Sequence, residues 1–227
     1  MGGEAVVVTG GASGLGAAVT RGVAGIGLTP IVLDRRAPAD GVAHELVDLS
    51  DPRAAEACVR HVADSYGTLR AVVTAAGIDA CGPLNEVPAR DWERVISVNL
   101  LATAAVIRAA LPYLERSGGR VVTVASTLGF RALPEATAYC ASKFGVVGFT
   151  RALAAELQGR VGVTLLVPGG MRTAFFDGRD ERYRPGADAQ LNEPGNVAAA
   201  VLFALEQPPG CELRELVVTP SVEPSWP

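Results

Sequence analysis

The sequence predicts a single α/β domain built on a doubly wound parallel sheet with helices on both faces. Three observations carry that reading. Short β-branched runs alternate with longer segments of helical period along the chain. The strand-like runs are almost continuously apolar, as strands covered on both faces are. A glycine cluster lies between the first run and the first helix, at the end of such a sheet where ligands are held. The 227 residues suit one domain of the larger single-core kind. No internal repeat, linker or low-complexity segment divides domain 1–227.

The elements follow in order. Residues 6–9 are the first strand, and Leu15, Val19 and Val23, spaced by four, mark the first helix. Residues 31–33 are the second strand, closed by Asp34, and 42–49 hold a weaker third. Residues 52–66 read as a helix and 71–75 as the fourth strand. A long helix follows near 91–115, with Ile96, Leu100, Ile107 and Leu111 on one stripe. Residues 121–125 are the fifth strand, and 139–157 a helix with Val146, Phe149, Leu153 and Leu157 in step. A sixth strand at 161–167, a helix at 196–205 and a seventh strand at 216–219 complete the set. The irregular, polar stretch 173–194 has the length of a lid or binding loop and is read as the substrate loop. Its charges, Arg179 to Arg184, read as a solvated face, with one arginine available to an anionic substrate.

Composition narrows the function. Lys+Arg number 20 and Asp+Glu 24, so the formal charge is 20 − 24 = −4. That excludes a nucleic-acid binder, which needs clustered positive charge to replace phosphate counterions. Hydrophobic residues are 49% and charged residues 19%, enough to build a core rather than a disordered chain. No run of eighteen apolar residues is present, so no membrane span is expected. The first strand begins too early for a leader. Cys58, Cys81, Cys140 and Cys211 lack metal-ligand spacing, so no metal site is expected and reduced thiols in the cytoplasm are the default.

The first turn is a phosphate cradle. Gly10, Gly14 and Gly16 give the spacing GxxxGxG, with Ser13 and Leu15 between them. Glycine permits the sharp turn, the close approach to a pyrophosphate and tight helix–sheet packing. The helix N-terminus then offers free N–H groups to the anion. Asp34 follows Gly14 by twenty residues, the distance at which a carboxylate reaches an adenosine ribose. Ribose recognition by Asp34 favours NAD, because a 2′-phosphate would face the same carboxylate; Arg35 and Arg36 are the features that would admit NADP.

A second cluster carries chemistry. Strand five ends at Ser126, and thirteen residues later Tyr139 and Lys143 stand four apart on one helix face. An ammonium beside a phenol favours the phenolate, and Ser126 can donate to a substrate oxygen.

Residues 9–16, Asn99, Ser126, Tyr139, Lys143 and the run 168–173 together resemble the compact branch of the short-chain dehydrogenases/reductases, in the family's order over essentially the whole chain. The resemblance implies a Rossmann-type sheet of seven strands in the order 3-2-1-4-5-6-7. It implies Tyr139 as acid/base, and Lys143 as the group that holds the nicotinamide ribose and lowers the tyrosine pKa. Ser126 would orient the substrate oxygen, and Asn99 would anchor a relay water. Asp48 with Leu49 would frame the adenine. Pro168 would lie on the cofactor, and Thr173 would touch its carboxamide. The family usually has two asparagines before Ala-Gly after strand four. Here Thr74 and Ala75 stand in their places, followed by Ala76 and Gly77, which keep the cofactor channel open without those side-chain hydrogen bonds.

The expected function is an NAD-dependent oxidoreductase interconverting a secondary alcohol and a ketone. The alternatives are an NADPH-preferring carbonyl reductase on the same scaffold, and a nucleotide-sensing regulatory protein without turnover. The partner is a small alcohol or ketone in a largely apolar pocket made by 78–84, 128–134, Phe175, Phe176 and Tyr183. By the resemblance, the helices near 91–115 and 139–157 form the interfaces of a homodimer or homotetramer. The tail around Trp226 packs near the pocket, packs on a neighbouring subunit, or frays.

Overall fold

The structure, a computed structural model, describes residues 4–39 and 41–226. Among these lie the strands β1 (Ala5–Thr9), β2 (Thr29–Asp34), β3 (His44–Leu46), β4 (Leu69–Thr74), β5 (Arg120–Val124), β6 (Gly162–Pro168) and β7 (Glu215–Val218). The α-helices are α1 (Gly14–Gly25), α2 (Pro52–Tyr66), α3 (Ala89–Ile96), α4 (Ala102–Ser117), α5 (Thr137–Glu156) and α6 (Pro194–Leu205). The sheet runs β3-β2-β1-β4-β5-β6-β7, every pair parallel. Its order reverses between β1 and β4, which opens a crevice at the C-terminal ends of those strands.

The apolar strands are covered on both sides. Ala5 and Val7 of β1 face a core shared with α2, α4 and α5. Val6 and Val8 face the opposite core, formed with α1 and α6. β1 and β5 are buried along their whole length. The third strand is only three residues long and mostly exposed, as suits an edge. Helix α2 starts where the sequence places it: Asp51 accepts from the N–H groups of Arg53 and Ala54, and Pro52 opens the first turn.

A five-residue π turn, Ser97–Leu101, joins α3 to α4. The resulting run Ala89–Ser117 is long and apolar enough to cross a membrane by length and composition alone. Its buried face is nevertheless in the protein core, and it only partly follows the expected stripe. Val95, Val98, Ala102, Val106, Ile107, Ala110 and Leu114 are buried, so Ile107 is where the stripe places it, whereas Ile96, Leu100 and Leu111 are half-buried at its margin. Close packing of α4 against α2 and β4 leaves room mainly for Ala and Val, so side-chain size does not mark the inward face.

Candidate active site

The cradle forms where β1 meets α1. Gly10 turns at φ +70, and its N–H donates to the Leu33 carbonyl at 2.9 Å. A Cβ there would stand 2.7 Å from Ala76 Cα, and one on Gly16 would stand 2.2 Å from the Gly10 oxygen. Gly14 turns at φ +53, and a Cβ there would stand 3.4 Å from the Thr173 methyl. Ser13 is extended and gives α1 no side-chain cap. The first-turn N–H groups therefore point at the cavity with the positive end of the helix dipole. This uncapped, side-chain-free floor fits the pyrophosphate of a dinucleotide.

Asp34 closes β2 beside the cradle and is 8% exposed. Its two oxygens accept from Ala12 N and Arg36 N, each at 3.1 Å. The Arg36 guanidinium reaches back to Ser13 Oγ at 3.4 Å, across the mouth of the same subsite. Asp48 and Leu49 line the next part of the cavity. The Ser50 N–H on the Asp48 carboxylate holds it below the usual range.

The loop after β4 is braced differently from the family pattern. Ala76 N donates to Thr9 Oγ1 at 3.2 Å, while Thr74 Oγ1 is buried without a partner. Ala75, Ala76 and Gly77 face the cavity. Behind them Asn99 accepts from Ile78 N and donates to the Ile78 carbonyl, both at 2.9 Å, and donates to Ser142 Oγ at 2.9 Å. Its own carbonyl accepts from Thr103 Oγ1. Asn99 thus lies behind the cavity wall as a clamp on Ile78, not among the lining residues.

Ser126, Tyr139 and Lys143 converge on the same cavity. Ser126, just past β5, accepts from Leu128 N at 3.1 Å. Tyr139 and Lys143 project from the first turns of α5, and Lys143 Nζ is 5.5 Å from the Tyr139 ring centre. Burial pushes the Tyr139 phenol above its ordinary value; the Ser126 hydroxyl and Arg179 act against that, and Asp79 reinforces it. Burial also lowers Lys143 to about 8. Desolvation is the largest influence on the phenol, ahead of the Ser126 hydrogen bond.

The cavity holds about 1690 Å³, well beyond the ~300–1,000 Å³ that suits one small ligand. Pro168 and Thr173 line it beside the cradle, and the Thr173 hydroxyl accepts from Phe175 N at 3.3 Å. The remaining wall corrects two expectations. It is not largely apolar: Asp79, Glu135, Arg179 and Tyr183 stand in it with Phe175 and Phe176. Nor is Arg179 on a solvated face. Its guanidinium lies 4.6 and 4.8 Å from the Phe175 and Phe176 ring centres and 3.1 Å from Asp79. The 173–194 loop holds two short 3-10 turns, and Tyr183 donates to Glu135 at 2.6 Å.

The tail is ordered on this chain's own cavity rim. Glu223 accepts from Gly170 N at 2.8 Å, Ser225 meets Thr127 Oγ1 at 2.7 Å, and Trp226 packs on Phe130 with ring centres 5.7 Å apart. Pro227 lies outside the described residues. Sequence reasoning did not single out Asp79, Glu135 or Glu223 for roles of their own; each owes its place to a partner far along the chain.

A parallel sheet whose order reverses above a glycine-lined, uncapped helix N-terminus defines a dinucleotide-binding protein. The chain belongs to the short-chain dehydrogenase family, whose pattern matches residues 4–184, and is an oxidoreductase acting on CH–OH groups with a nicotinamide cofactor. It is 33% identical over 223 residues to D-threitol dehydrogenase of Mycolicibacterium smegmatis, covering 88% of this chain and 85% of that one. It is 31% identical over 190 residues to D-beta-hydroxybutyrate dehydrogenase of Rhizobium meliloti, covering 77% and 74%. Its fold matches ligand-free aldohexose dehydrogenase of Thermoplasma acidophilum with a TM-score of 0.86 at 24% identity, over 96% of this chain and 93% of that one.

Proposed function

We propose that this protein is an NAD-dependent dehydrogenase that interconverts a secondary alcohol and its ketone, with Tyr139 as acid/base. The observation that carries the reading is the convergence of Ser126, Tyr139 and Lys143 on the cavity that the glycine cradle floors. The bound cofactor supplies the hydride acceptor or donor. In the oxidative direction Tyr139 takes the hydroxyl proton as the C–H hydride departs, so the alcohol loses one hydride and one proton. Ser126 holds the reacting oxygen. Lys143 has the reach to hold a ribose hydroxyl, and Asn99 fixes the wall behind through Ile78.

Asp34 supports NAD, because its carboxylate stands where the ribose hydroxyls would donate. The guanidinium of Arg36 beside Ser13 supports a second reading, in which NADP is accepted through its 2′-phosphate. The relatives that act on D-threitol and D-beta-hydroxybutyrate point to a small hydroxylated substrate. All four cysteines are free, which supports a cytoplasmic enzyme. Phe144 and Leu101, 45% and 48% exposed, give α5 and the π turn apolar outer faces, and these support a homodimer or homotetramer. The test is cofactor absorbance with alcohols and ketones, each with NAD(H) and NADP(H). Turnover with NAD and a secondary alcohol is expected, and absence of turnover with every pair refutes the reading.

A further inference from the structure

The cavity wall near Tyr139 contains an ion pair where an enzyme for simple alcohols needs only apolar surface. Asp79 lies just beyond the Gly77–Ile78 turn, and its side chain is 7% exposed. It accepts from Ala80 N at 2.7 Å and from Cys81 Sγ at 3.2 Å. Arg179 comes from the 173–194 loop, its side chain 16% exposed between two phenylalanine rings. Its Nη2 is 3.1 Å from Asp79 Oδ2 but off the hydrogen-bond axis, so that nitrogen is buried with no aligned acceptor. The pair connects to the reacting phenol through Phe175, whose ring centre is 5.6 Å from that of Tyr139.

A buried ion pair contributes little to stability that apolar side chains of the same volume would not. A buried donor without an acceptor is a standing penalty. Both make sense if a ligand completes the set. Its charge follows from the wall. A substrate carboxylate would meet Asp79 and Glu135, with Arg179 already neutralised. A substrate ammonium would have to compete with Arg179 for Asp79. A neutral hydroxyl suits both members, since it donates to a carboxylate and accepts from a guanidinium at once.

We infer that Asp79 and Arg179 form a hydroxyl-recognition element and that the substrate is a neutral polyhydroxylated compound, a polyol or sugar, whose hydroxyl next to the reacting carbon bridges the two. This rests on the proposed alcohol-dehydrogenase reading and decides between the two kinds of substrate that the relatives present.

The test uses the full chain with NAD(H) and NADP(H) and four probes: D-threitol, 2,3-butanediol, 2-butanol and D-3-hydroxybutyrate. The expected order of kcat/KM is threitol, then butanediol, then butanol, with roughly tenfold or more lost on removing the neighbouring hydroxyl, and hydroxybutyrate below threitol. Asp79→Asn and Arg179→Leu should each shrink the threitol-to-butanol ratio at least about tenfold. Cofactor binding, followed by calorimetry, reports that each variant is folded. Equal or better use of butanol or hydroxybutyrate overturns the inference and leaves the dehydrogenase reading standing. So does a ratio unchanged in both folded variants. No turnover of any probe, or of the corresponding ketones, overturns the reading itself and this inference with it.

Discussion

Lys143 Nζ donates to the Val124 carbonyl at 2.9 Å while standing 5.5 Å from the centre of the Tyr139 ring. Burial there lowers the lysine to about 8. Between that value and the ordinary lysine value the unfolded chain binds the proton and the folded chain does not, so stability rises with pH across that window. Below about 8 the penalty is complete, roughly 3 kcal/mol. Lys143→Met should therefore melt higher than the natural protein near neutral pH, and its advantage should shrink as pH rises from about 8 to 10. Thermal unfolding of both proteins across that range checks this; a difference that stays constant with pH refutes it. Tyr139, raised by burial, acts oppositely above about 10, but it is present in both proteins.

Tyr139→Phe should bind cofactor normally and lose about 10²- to 10⁴-fold in turnover. Because burial keeps the phenol protonated at neutral pH, carbonyl reduction should proceed there, and alcohol oxidation should accelerate as pH rises. Initial rates in both directions against pH measure this. Near-full turnover by the variant would remove Tyr139 from the mechanism.

Asp34→Ala should move the preference toward NADP, because Arg36 already reaches Ser13 across the ribose subsite. Ala12 N loses its acceptor in the same variant, so affinity for both cofactors should fall. The informative number is the ratio of kcat/KM for NADP to that for NAD. It should rise by roughly tenfold or more, the size of a charge-assisted hydrogen bond removed from one side.

Glu223 holds the glycine turn after β6. A Cβ on Gly169 would lie 2.3 Å from Glu223 Oε2, and Gly170 N donates to the same oxygen. Glu223→Ala leaves that N–H without its acceptor, at about 1–3 kcal/mol, and a protein of this size loses about 2–4 °C for each kcal/mol. The melting temperature should drop accordingly, and the cofactor KM should rise because Pro168 and Thr173 flank the turn. Calorimetry and steady-state kinetics test both parts.

For assembly, the exposed and the half-buried phenylalanine of α5 should behave differently. Phe144 is 45% exposed, whereas Phe149 packs against the core. Phe144→Glu should give a monomer by light scattering with little change in melting temperature, and Phe149→Glu should destabilise the fold. An unchanged oligomer with Phe144→Glu would place the interface elsewhere.

The parts legible in the sequence are those set by local spacing. The strands declare themselves through unbroken valine runs, and Tyr139 and Lys143 meet because four residues make one helical turn. Gly10 and Ser126 are marked because they follow β1 and β5 on the side of the sheet where the strands' C-terminal ends hold ligands. What stayed hidden depends on loops folded together from far apart. Asp79 and Arg179 are one hundred residues distant, and Glu223 is 53 residues from Gly170. No period links such pairs, so a buried guanidinium looked like one more charge in a polar loop. The inward face of 95–114 is only partly legible for a different reason: Ile107 marks it, but alanine and valine fill most of the tightest contact.

The docking of the tail has a consequence for the newborn chain. The cavity is lined by residues as far apart in the chain as Gly10 and Ser225. Strand β1 is central and pairs with β2 and β4, so a partial sheet can assemble as the chain leaves the ribosome. The rim beside the Gly169–Gly170 turn closes only when Glu223 and Ser225 have been synthesised and have cleared the exit tunnel. Until then the ligand has an unfinished wall to bind, so the stabilisation it lends the fold follows the arrival of that segment.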